Sequence, residues 1–397
     1  IAGTEAPPPE SFWDEPARDY LGFQHLQHCQ SHTCDRPPNG HYLGWLKRKG
    51  IDPEELAPLH NLRSTDGKIA HRIRPGKWDL PHELTQNAWI TEESIEWIDR
   101  QRSAGKPWFC MANYQDPHSP FVCPEPFYSE VNMAGVDLGG MAPGEMDDKP
   151  PFYKSFVEGK GWLDSDGRPL TDEENPNIAH TVLRERMQDP EAAIRAYIGM
   201  VNMLDHYIGK LLEHLERTGQ RDNTLILFTS DHGELLGRHG LAFKGLPAFD
   251  DNQRVPGLMA WPAAQKTQGT TRSMLNLVDF MPTILDAAGA EIPPGVQGIS
   301  QLPVLRGEAE VLRDWALVDH YATSRCHQQT LVTEGHKLVV YRQADYGELY
   351  DLDSDPGQYR NLFNDQAHAR TRNRLTQKLV RVNMATAGVM PHRISNA

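Results

Sequence analysis

One apolar run that leads into a polar cluster decides the fold of this sequence, because residues 224–234 read TLILFTSDHGE. A continuous apolar run of this kind is typical of a buried parallel strand. Residues 190–217, just before it, place apolar side chains at three- and four-residue steps, which predicts a long amphipathic helix. A helix followed by a buried strand indicates an α/β core.

Asp231 and His232 come directly after the predicted strand, where open α/β sheets bind their ligands. A carboxylate beside an imidazole is a competent pair of metal ligands. The alternative interpretation is that Asp231 caps a following helix and His232 is an ordinary loop residue. Lys244 follows twelve residues after His232, between Phe243 and Gly245. A lone lysine is usually solvated, but this position favours contact with an anion.

The segments before this strand are less regular. Thr91 and the acidic residues after it predict a capped amphipathic helix through residues 91–98. Residues 107–113 (PWFCMAN) predict a buried strand that ends in a polar loop at 114–121. Residues 129–188 are rich in Gly, Pro, Asp and Glu without steady periodicity, so we expect a long surface excursion that shapes a pocket.

Beyond residue 310, short β-type runs replace the helices. Residues 315–318, 329–333 and 336–341 alternate with tight turns, which predicts a small antiparallel sheet. One helix and a tail follow. The predicted fold class is therefore α/β, with a mixed, largely parallel central sheet flanked by helices and a smaller C-terminal antiparallel sheet plus helix.

The composition excludes several classes of partner. Lys and Arg number 40 against 54 Asp and Glu, which gives a formal net charge of −14 over 397 residues. With a mean hydropathy of −0.59 and no apolar run near the roughly 18 residues of a spanning helix, no membrane insertion is expected. No basic stretch could neutralise a nucleic acid, whereas a small anion at a local cationic site remains open. Five cysteines, sparse and odd in number, argue against a disulfide framework.

Several segments together resemble a known family, the sulfatase branch of the alkaline phosphatase superfamily, which includes arylsulfatases, choline sulfatases and phosphonate monoester hydrolases. The resemblance extends from about residue 20 and keeps the family's order along the chain. The matching segments are DPHSPF (116–121), SDHGE (230–234) with GLAFK (240–244), VDFMPTIL (278–285), QGIS (297–300), and ELYDL (348–352) with DPGQ (355–358) and NL (361–362).

The resemblance implies that Asp231 and His232 are metal ligands, that Lys244 holds the non-bridging oxygens of the substrate, and that His118 donates a hydrogen bond or proton at the leaving group. Oxygen ligands favour Ca²⁺ or Mg²⁺, and the imidazole favours Mn²⁺ or Zn²⁺. Because relatives with this pair are often calcium enzymes, we expect Ca²⁺ first and Mn²⁺ second.

Two further residues are substrate-binding candidates by the same resemblance. His239 lies five residues before Lys244, and Arg238 stands where relatives often have Asp. An arginine at that position would alter the preference for substrate charge.

The nucleophile of the family is a formylglycine made from Cys or Ser in a C/S-x-P-x-R motif, and this motif is absent from the sequence. We therefore expect the formylglycine in a segment upstream of Ile1, which leaves this chain incomplete for catalysis. The domains expected are residues 1–308, an alkaline phosphatase-like catalytic domain that lacks its N-terminal part, and 309–397, the C-terminal β subdomain.

The expected activity is hydrolysis of sulfate esters, with phosphonate monoesters or phosphodiesters as alternatives. A non-catalytic binding or scaffold relative is the competing hypothesis. The expected partner is a small anionic ester, without nucleic acid or membrane. A homo-oligomer and a separate N-terminal fragment stay open, as does the choice between cytoplasm and periplasm.

Overall fold

The computed structural model describes residues 22–29, 38–60, 74–164, 167–170, 181–187, 189–323 and 326–387. The predicted C-terminal tail lies outside these ranges. The chain divides into two compact units: unit 1 comprises residues 1–138 and 185–219, and unit 2 comprises residues 139–184 and 220–397. The boundary expected near residue 308 stays a prediction.

The described helices are α1 (Gly40–Arg48), α2 (Pro53–His60), α3 (Gln86–Ser103), α4 (Pro151–Val157), α5 (Pro190–Arg217), α6 (Asp250–Gln253), α7 (Phe280–Ala287), α8 (Leu302–Leu305) and α9 (Ala369–Thr386). The described strands are β1 (Gly76–Trp78), β2 (Val122–Pro124), β3 (Val182–Leu183), β4 (Ile226–Thr229), β5 (Leu241–Ala242), β6 (Gly257–Ala260), β7 (Trp315–Thr323), β8 (Cys326–Thr333), β9 (His336–Tyr341) and β10 (Gly347–Asp351). None of these helices is both long and apolar enough to cross a bilayer.

In unit 1, the long helix α5 packs on α3 and on the parallel pair β1 and β2. The helix begins as its sequence predicts, because the side chain of Asp189 caps it by accepting a hydrogen bond from Ala192 N at 3.0 Å. At Gly199 the helix approaches β2 so closely that a Cβ would lie 2.7 Å from Cys123 Sγ. The small residue therefore sets the distance between helix and strand.

Helix α3 begins five residues before the predicted cap at Thr91. The N-cap is Thr85, whose backbone is extended, and its hydroxyl donates to His82 O at 2.7 Å. Thr91 instead lies buried within the helix, 2.8 Å from the Tyr114 hydroxyl. The predicted cap at Thr91 is therefore wrong, and the helix starts at Gln86.

Two strand predictions need correction. Residues 107–113 take no part in the strand ladders of the described chain, and Phe109 and Met111 are 50% and 60% exposed. The apolar run of β4 predicted a parallel partner, but the partner found, β6, is antiparallel and places Phe228 opposite Leu258. The strand was also predicted to be buried, but its first three residues are half-buried and Thr229 is exposed. The apolar run therefore fixed neither the burial of the strand nor the direction of its neighbour.

The C-terminal sheet of unit 2 confirms its prediction. Its four antiparallel strands follow the order β10, β9, β8, β7. Helix α9 covers the sheet through residues spaced three and four apart. The buried apolar contacts involve Leu375, Leu379 and Val382 of the helix and Leu331, Leu338 and Leu349 of the sheet. The mixed α/β class with a C-terminal antiparallel sheet and helix is thus confirmed.

A buried ion pair fixes the start of α7. Both carboxylate oxygens of Asp279, which is fully buried, bond to the guanidinium of Arg313. The same carboxylate accepts backbone N–H groups of Asn276 at 2.7 Å and Ile299 at 2.9 Å. Four donors therefore offset the desolvation of one charge.

Substitution Arg313→Met should destabilise the protein by about 3–5 kcal/mol, because it leaves the Asp279 carboxylate buried without its cation. Chemical denaturation would measure the change. The control is Arg272→Met, since Arg272 pairs with Glu334 on the surface, where both side chains are about 70% exposed, and a loss within about 1 kcal/mol is expected there. Equal losses in the two variants would contradict the argument.

Candidate active site

Asp231 and His232 lie at the carboxyl end of β4 in unit 2, as the sequence predicts. The Asp231 side chain is 83% exposed and stands 3.5 Å from the imidazole, measured from Oδ2 to Nε2 of His232. Its other oxygen accepts the backbone N–H of His232 at 2.9 Å and the Ser230 hydroxyl at 3.3 Å. A carboxylate oxygen and an imidazole nitrogen are thus presented side by side.

The orientation of the His232 ring selects its tautomer. Nδ1 lies 2.8 Å from the carbonyl oxygen of Gly233. A carbonyl only accepts, so Nδ1 carries the proton and Nε2 carries the lone pair in the neutral ring. Histidine ligands of metals are commonly oriented in this way, by donating their other N–H to a backbone carbonyl.

Asp231 and His232 fit chemically as part of a divalent metal site. Hard cations take about six oxygen-type ligands, and His232 adds a nitrogen donor. In the described part of the chain, no group of three or more His, Cys, Asp or Glu side chains is arranged to hold a metal ion. The pair therefore provides two ligands, and the metal identity stays a prediction.

Lys244 is partly buried in unit 2 and lies within electrostatic reach of two carboxylates. Burial lowers the pKa of its ammonium, and the negative charges of Glu234 and Asp231 partly offset this effect. Its own backbone carbonyl accepts the Thr181 hydroxyl at 2.7 Å, which fixes the chain at this position. The structure thus brings Lys244 into the same electrostatic environment as Asp231.

Glu234 is a feature that the sequence argument did not assign. Burial raises its pKa to about 7, although backbone N–H groups of Leu236, Phe243 and Leu235 and the charge of Lys244 act against the increase. Its place after the aspartate–histidine pair was visible in the sequence, but its burial was not.

Residues 233–243, here called the site loop, connect His232 to Lys244. The loop folds back on itself through the bond from Leu235 N to Phe243 O at 2.9 Å. Its first residue, Gly233, donates to the carbonyl of Asn252 in α6 at 2.8 Å. A Cβ at Gly233 would meet the carbonyl oxygen of Asp251 at 2.0 Å, so only glycine permits this approach.

The excursion predicted from residues 129–188 holds the other side of the site loop. Gly140 N donates to Gly237 O at 2.8 Å, and Gly240 N donates to Gly140 O at 3.0 Å. Gly139 lies so close that a Cβ would be 2.5 Å from the carbonyl carbon of Gly237. Farther along, β3 pairs antiparallel with β5 at the end of the loop.

Helix α6 is itself held by a buried lysine of the C-terminal sheet. Lys337 Nζ contacts Asp250 Oδ1 at 2.6 Å and Ala248 O at 2.6 Å, and it also donates to Gln358 Oε1 at 3.0 Å. The lysine side chain is fully buried. Its three acceptors satisfy the three donors of an ammonium group.

Arg238 and His239, the two predicted substrate-binding residues, both lie beside Asp251. Arg238 Nε pairs with Asp251 Oδ1 at 2.9 Å, and its guanidinium also donates to the Tyr359 hydroxyl at 3.3 Å. His239 is 1% exposed and lies between the carboxylates of Glu145 and Asp251. Contact of either residue with a substrate stays a prediction.

His118 lies in unit 1, in the loop after the run 107–113. Its Nδ1 donates to the carbonyl of Ser119 at 2.5 Å, so Nε2 is the basic nitrogen of the neutral ring. Two residues earlier, Asp116 accepts from Asn87 Nδ2 at 2.9 Å. Burial raises the pKa of Asp116 to about 7, against the effect of the Asn87 hydrogen bond. From the sequence, His118 is the one residue of this loop that is assigned a role, and the burial of Asp116 is not predicted.

The architecture is that of alkaline phosphatase-like enzymes. A solved phosphonate monoester hydrolase from Silicibacter pomeroyi has a TM-score of 0.68 with this structure, at 26% identity over 89% of this chain and 70% of that one. The sequence profile described as Sulfatase matches residues 19–290, which is more than half of the chain. The chain belongs to the sulfatase family. A second profile, described as N-sulphoglucosamine sulphohydrolase, C-terminal, matches residues 237–385.

Two curated relatives show how far the similarity extends. An N-acetylglucosamine-6-O-sulfatase of Bacteroides thetaiotaomicron is 36% identical over 194 residues, which are 47% of this chain and 35% of that protein. An arylsulfatase of Clostridium perfringens is 28% identical over 338 residues, 82% of this chain and 62% of that protein. The chain thus spans about a third to three fifths of the length of these relatives.

Substitution Gly233→Ala should destabilise unit 2 by about 1–3 kcal/mol, because the added Cβ forces the site loop away from α6. The same substitution at Gly209 of α5, where nothing lies within 4 Å of the added Cβ, should stabilise the protein by about 0.5–1 kcal/mol. Chemical denaturation of both variants tests this difference in sign, and a stabilised Gly233→Ala variant would refute the close approach.

Proposed function

We propose that the protein hydrolyses sulfate esters. The observation that supports the proposal is the pair Asp231 and His232 after β4, together with Lys244, a partly buried lysine after β5 that interacts with the charge of Asp231. Membership of the sulfatase family and the names of the relatives, an arylsulfatase among them, support this activity.

In this proposal, Asp231 and His232 hold a divalent cation, Ca²⁺ in first place and Mn²⁺ in second. When bound, such a cation acts as a Lewis acid that neutralises charge on the ester oxygens. The chain's contribution is to present a carboxylate oxygen together with an imidazole nitrogen whose lone pair is oriented by the Gly233 carbonyl.

Lys244 is proposed to bind the non-bridging oxygens of the sulfate group. These oxygens gain charge as the ester bond breaks, and a positive group already in place lowers the free energy of that state. Partial burial strengthens the attraction, because less water screens the ammonium.

His118 is proposed to donate a hydrogen bond or a proton to the departing alkoxide. Its Nδ1 is engaged by Ser119 O, which holds the ring in one orientation. An imidazole titrates near neutral pH and can therefore protonate an alcohol as it leaves. The nucleophile is proposed to be a formylglycine contributed by a segment upstream of Ile1.

Phosphonate monoester hydrolysis is the second candidate. It is favoured by the structural similarity to the Silicibacter pomeroyi phosphonate monoester hydrolase. Sulfate and phosphonate monoesters are both tetrahedral anions that carry a single negative charge, so a cation beside a lysine would serve either of them.

The deciding experiment assays the protein, together with any native sequence that precedes Ile1, on 4-nitrophenyl sulfate, N-acetylglucosamine 6-sulfate and a 4-nitrophenyl phosphonate monoester. Hydrolysis of a sulfate ester that stops with a chelator and returns with Ca²⁺ is the expected result. Faster turnover of the phosphonate would favour the second candidate. Lack of turnover on all three substrates would contradict both.

Substitution Lys244→Ala should lower kcat/KM for the sulfate ester by about 10²–10³-fold, the usual effect of removing one group that stabilises the developing charge. Metal binding, measured by calorimetry, should be retained. The control is Lys266→Ala, an exposed lysine of the same unit. If Lys244→Ala remained as active as this control, the proposed role of Lys244 in binding the sulfate group would be wrong.

A further inference from the structure

His239 sits in the middle of the site loop, yet it is almost fully buried. Its backbone is left-handed, with φ of 56°, a conformation that costs free energy for a residue other than glycine. The ring stacks on Phe249 with centroids 3.6 Å apart and planes inclined by 10°. Burying a polar ring costs free energy that favourable partners for its nitrogens must offset.

The two nitrogens of His239 face two carboxylates. Nδ1 lies 2.5 Å from Glu145 Oε1, and Nε2 lies 3.6 Å from Asp251 Oδ2. The Nδ1 contact is a hydrogen bond, whereas the Nε2 contact has the length of an ion pair, and Nε2 has no hydrogen-bond partner among the described residues. A carboxylate offers acceptors alone, so a proton on each nitrogen directs positive charge at both neighbours. The geometry therefore calls for the imidazolium form. Neutral imidazole would leave one nitrogen lone pair facing a negative oxygen.

The charges around the ring agree with this assignment. Burial by itself would lower the pKa of His239, but Asp251 and Glu145 outweigh it and the pKa is raised. Burial by itself would raise the pKa values of Glu145 and Asp251, but hydrogen bonds and nearby positive charges, those of His239 among them, outweigh it and both pKa values are lowered. Arg238 adds positive charge beside Asp251, and Lys149 does so for Glu145.

We propose that protonated His239 is a positioning residue, which ties the site loop to the excursion at Glu145 and to α6 at Asp251. Through these ties it would fix Lys244 relative to Asp231 and His232, a consequence for catalysis that rests on the proposed function. The tie itself does not depend on that function.

The proposal fixes the pH dependence of the loop. A raised pKa means that the tie is fully present below the ordinary pKa of histidine and is lost as the pH rises through the raised value. Glu145 and Asp251 have lowered pKa values, so the contribution of their negative charges to the tie is lost only in acid, below the ordinary pKa range of carboxylates. The groups that face the ring are Glu145, Asp251, Phe249 and Tyr359, with Arg238 beside Asp251.

The test follows hydrogen exchange of the site-loop amides in the full chain, from pH 6 to pH 10, with the His239 protonation state followed by NMR. The protected amides are those of Gly233, Leu235, Gly237 and Gly240. Variant Glu145→Gln keeps a hydrogen-bond acceptor and removes one charge. It should lower the pKa of His239, and above that pKa each unit of the decrease should speed loop exchange about tenfold.

Variant His239→Phe keeps a flat ring against Phe249 and abolishes the titration, so loop exchange should be fast and should lose the pH dependence beyond that of the chemical exchange step. The matched control is His214→Phe, since His214 is another buried histidine, paired with Asp99 at 3.0 Å in unit 1. It should leave exchange in the site loop unchanged.

Exchange rates of the loop amides that do not change as His239 titrates, or that stay slow in both Glu145→Gln and His239→Phe, would overturn the proposal. In the full-length enzyme, the alkaline limb of the pH–rate profile should move with the exchange midpoint in Glu145→Gln. The exchange measurement does not require catalytic activity. If the protein showed no sulfatase activity, the proposed function would be refuted, and the exchange rates would still show whether His239 ties the loop.

Discussion

The arrangement of the site depends on one backbone contact, the hydrogen bond from Gly233 N to Asn252 O. There is no space for a side chain where these two segments meet, so their separation is set by the main chain itself. Gly233 adjoins His232, and its carbonyl orients the imidazole. The position of α6 is therefore transmitted directly to the pair of ligand-type residues at the end of β4.

Helix α6 has a single turn and could not persist without outside support. Its two leading residues are acidic, and each is matched by a buried or partly buried cation. Lys337 contacts Asp250, while Arg238 and His239 contact Asp251. Charges taken out of water are costly unless they are paired, so these contacts favour one position of the helix. The site loop is thus supported by the short helix α6, whose position is stabilised by ion pairs.

Local sequence patterns predicted those features that depend on residues close together in the chain. The helical periodicity of α5 and the strand that leads into Asp231 and His232 were both visible from spacing. The partners of His239 were not, because Glu145 lies 94 residues away and in a segment without periodicity. Likewise, the start of α3 at Gln86 was missed, because the capping pattern pointed to Thr91.

The buried contact between Lys337 and Asp250 bears on how such chains could be recombined in evolution. Lys337 belongs to β9 of the C-terminal sheet, and Asp250 begins the helix that supports the site loop. A lineage that acquired this sheet from a homologue without the acidic residue would inherit an enclosed ammonium with one acceptor missing. The two positions should therefore be inherited as a pair, however freely the surface around them diverges.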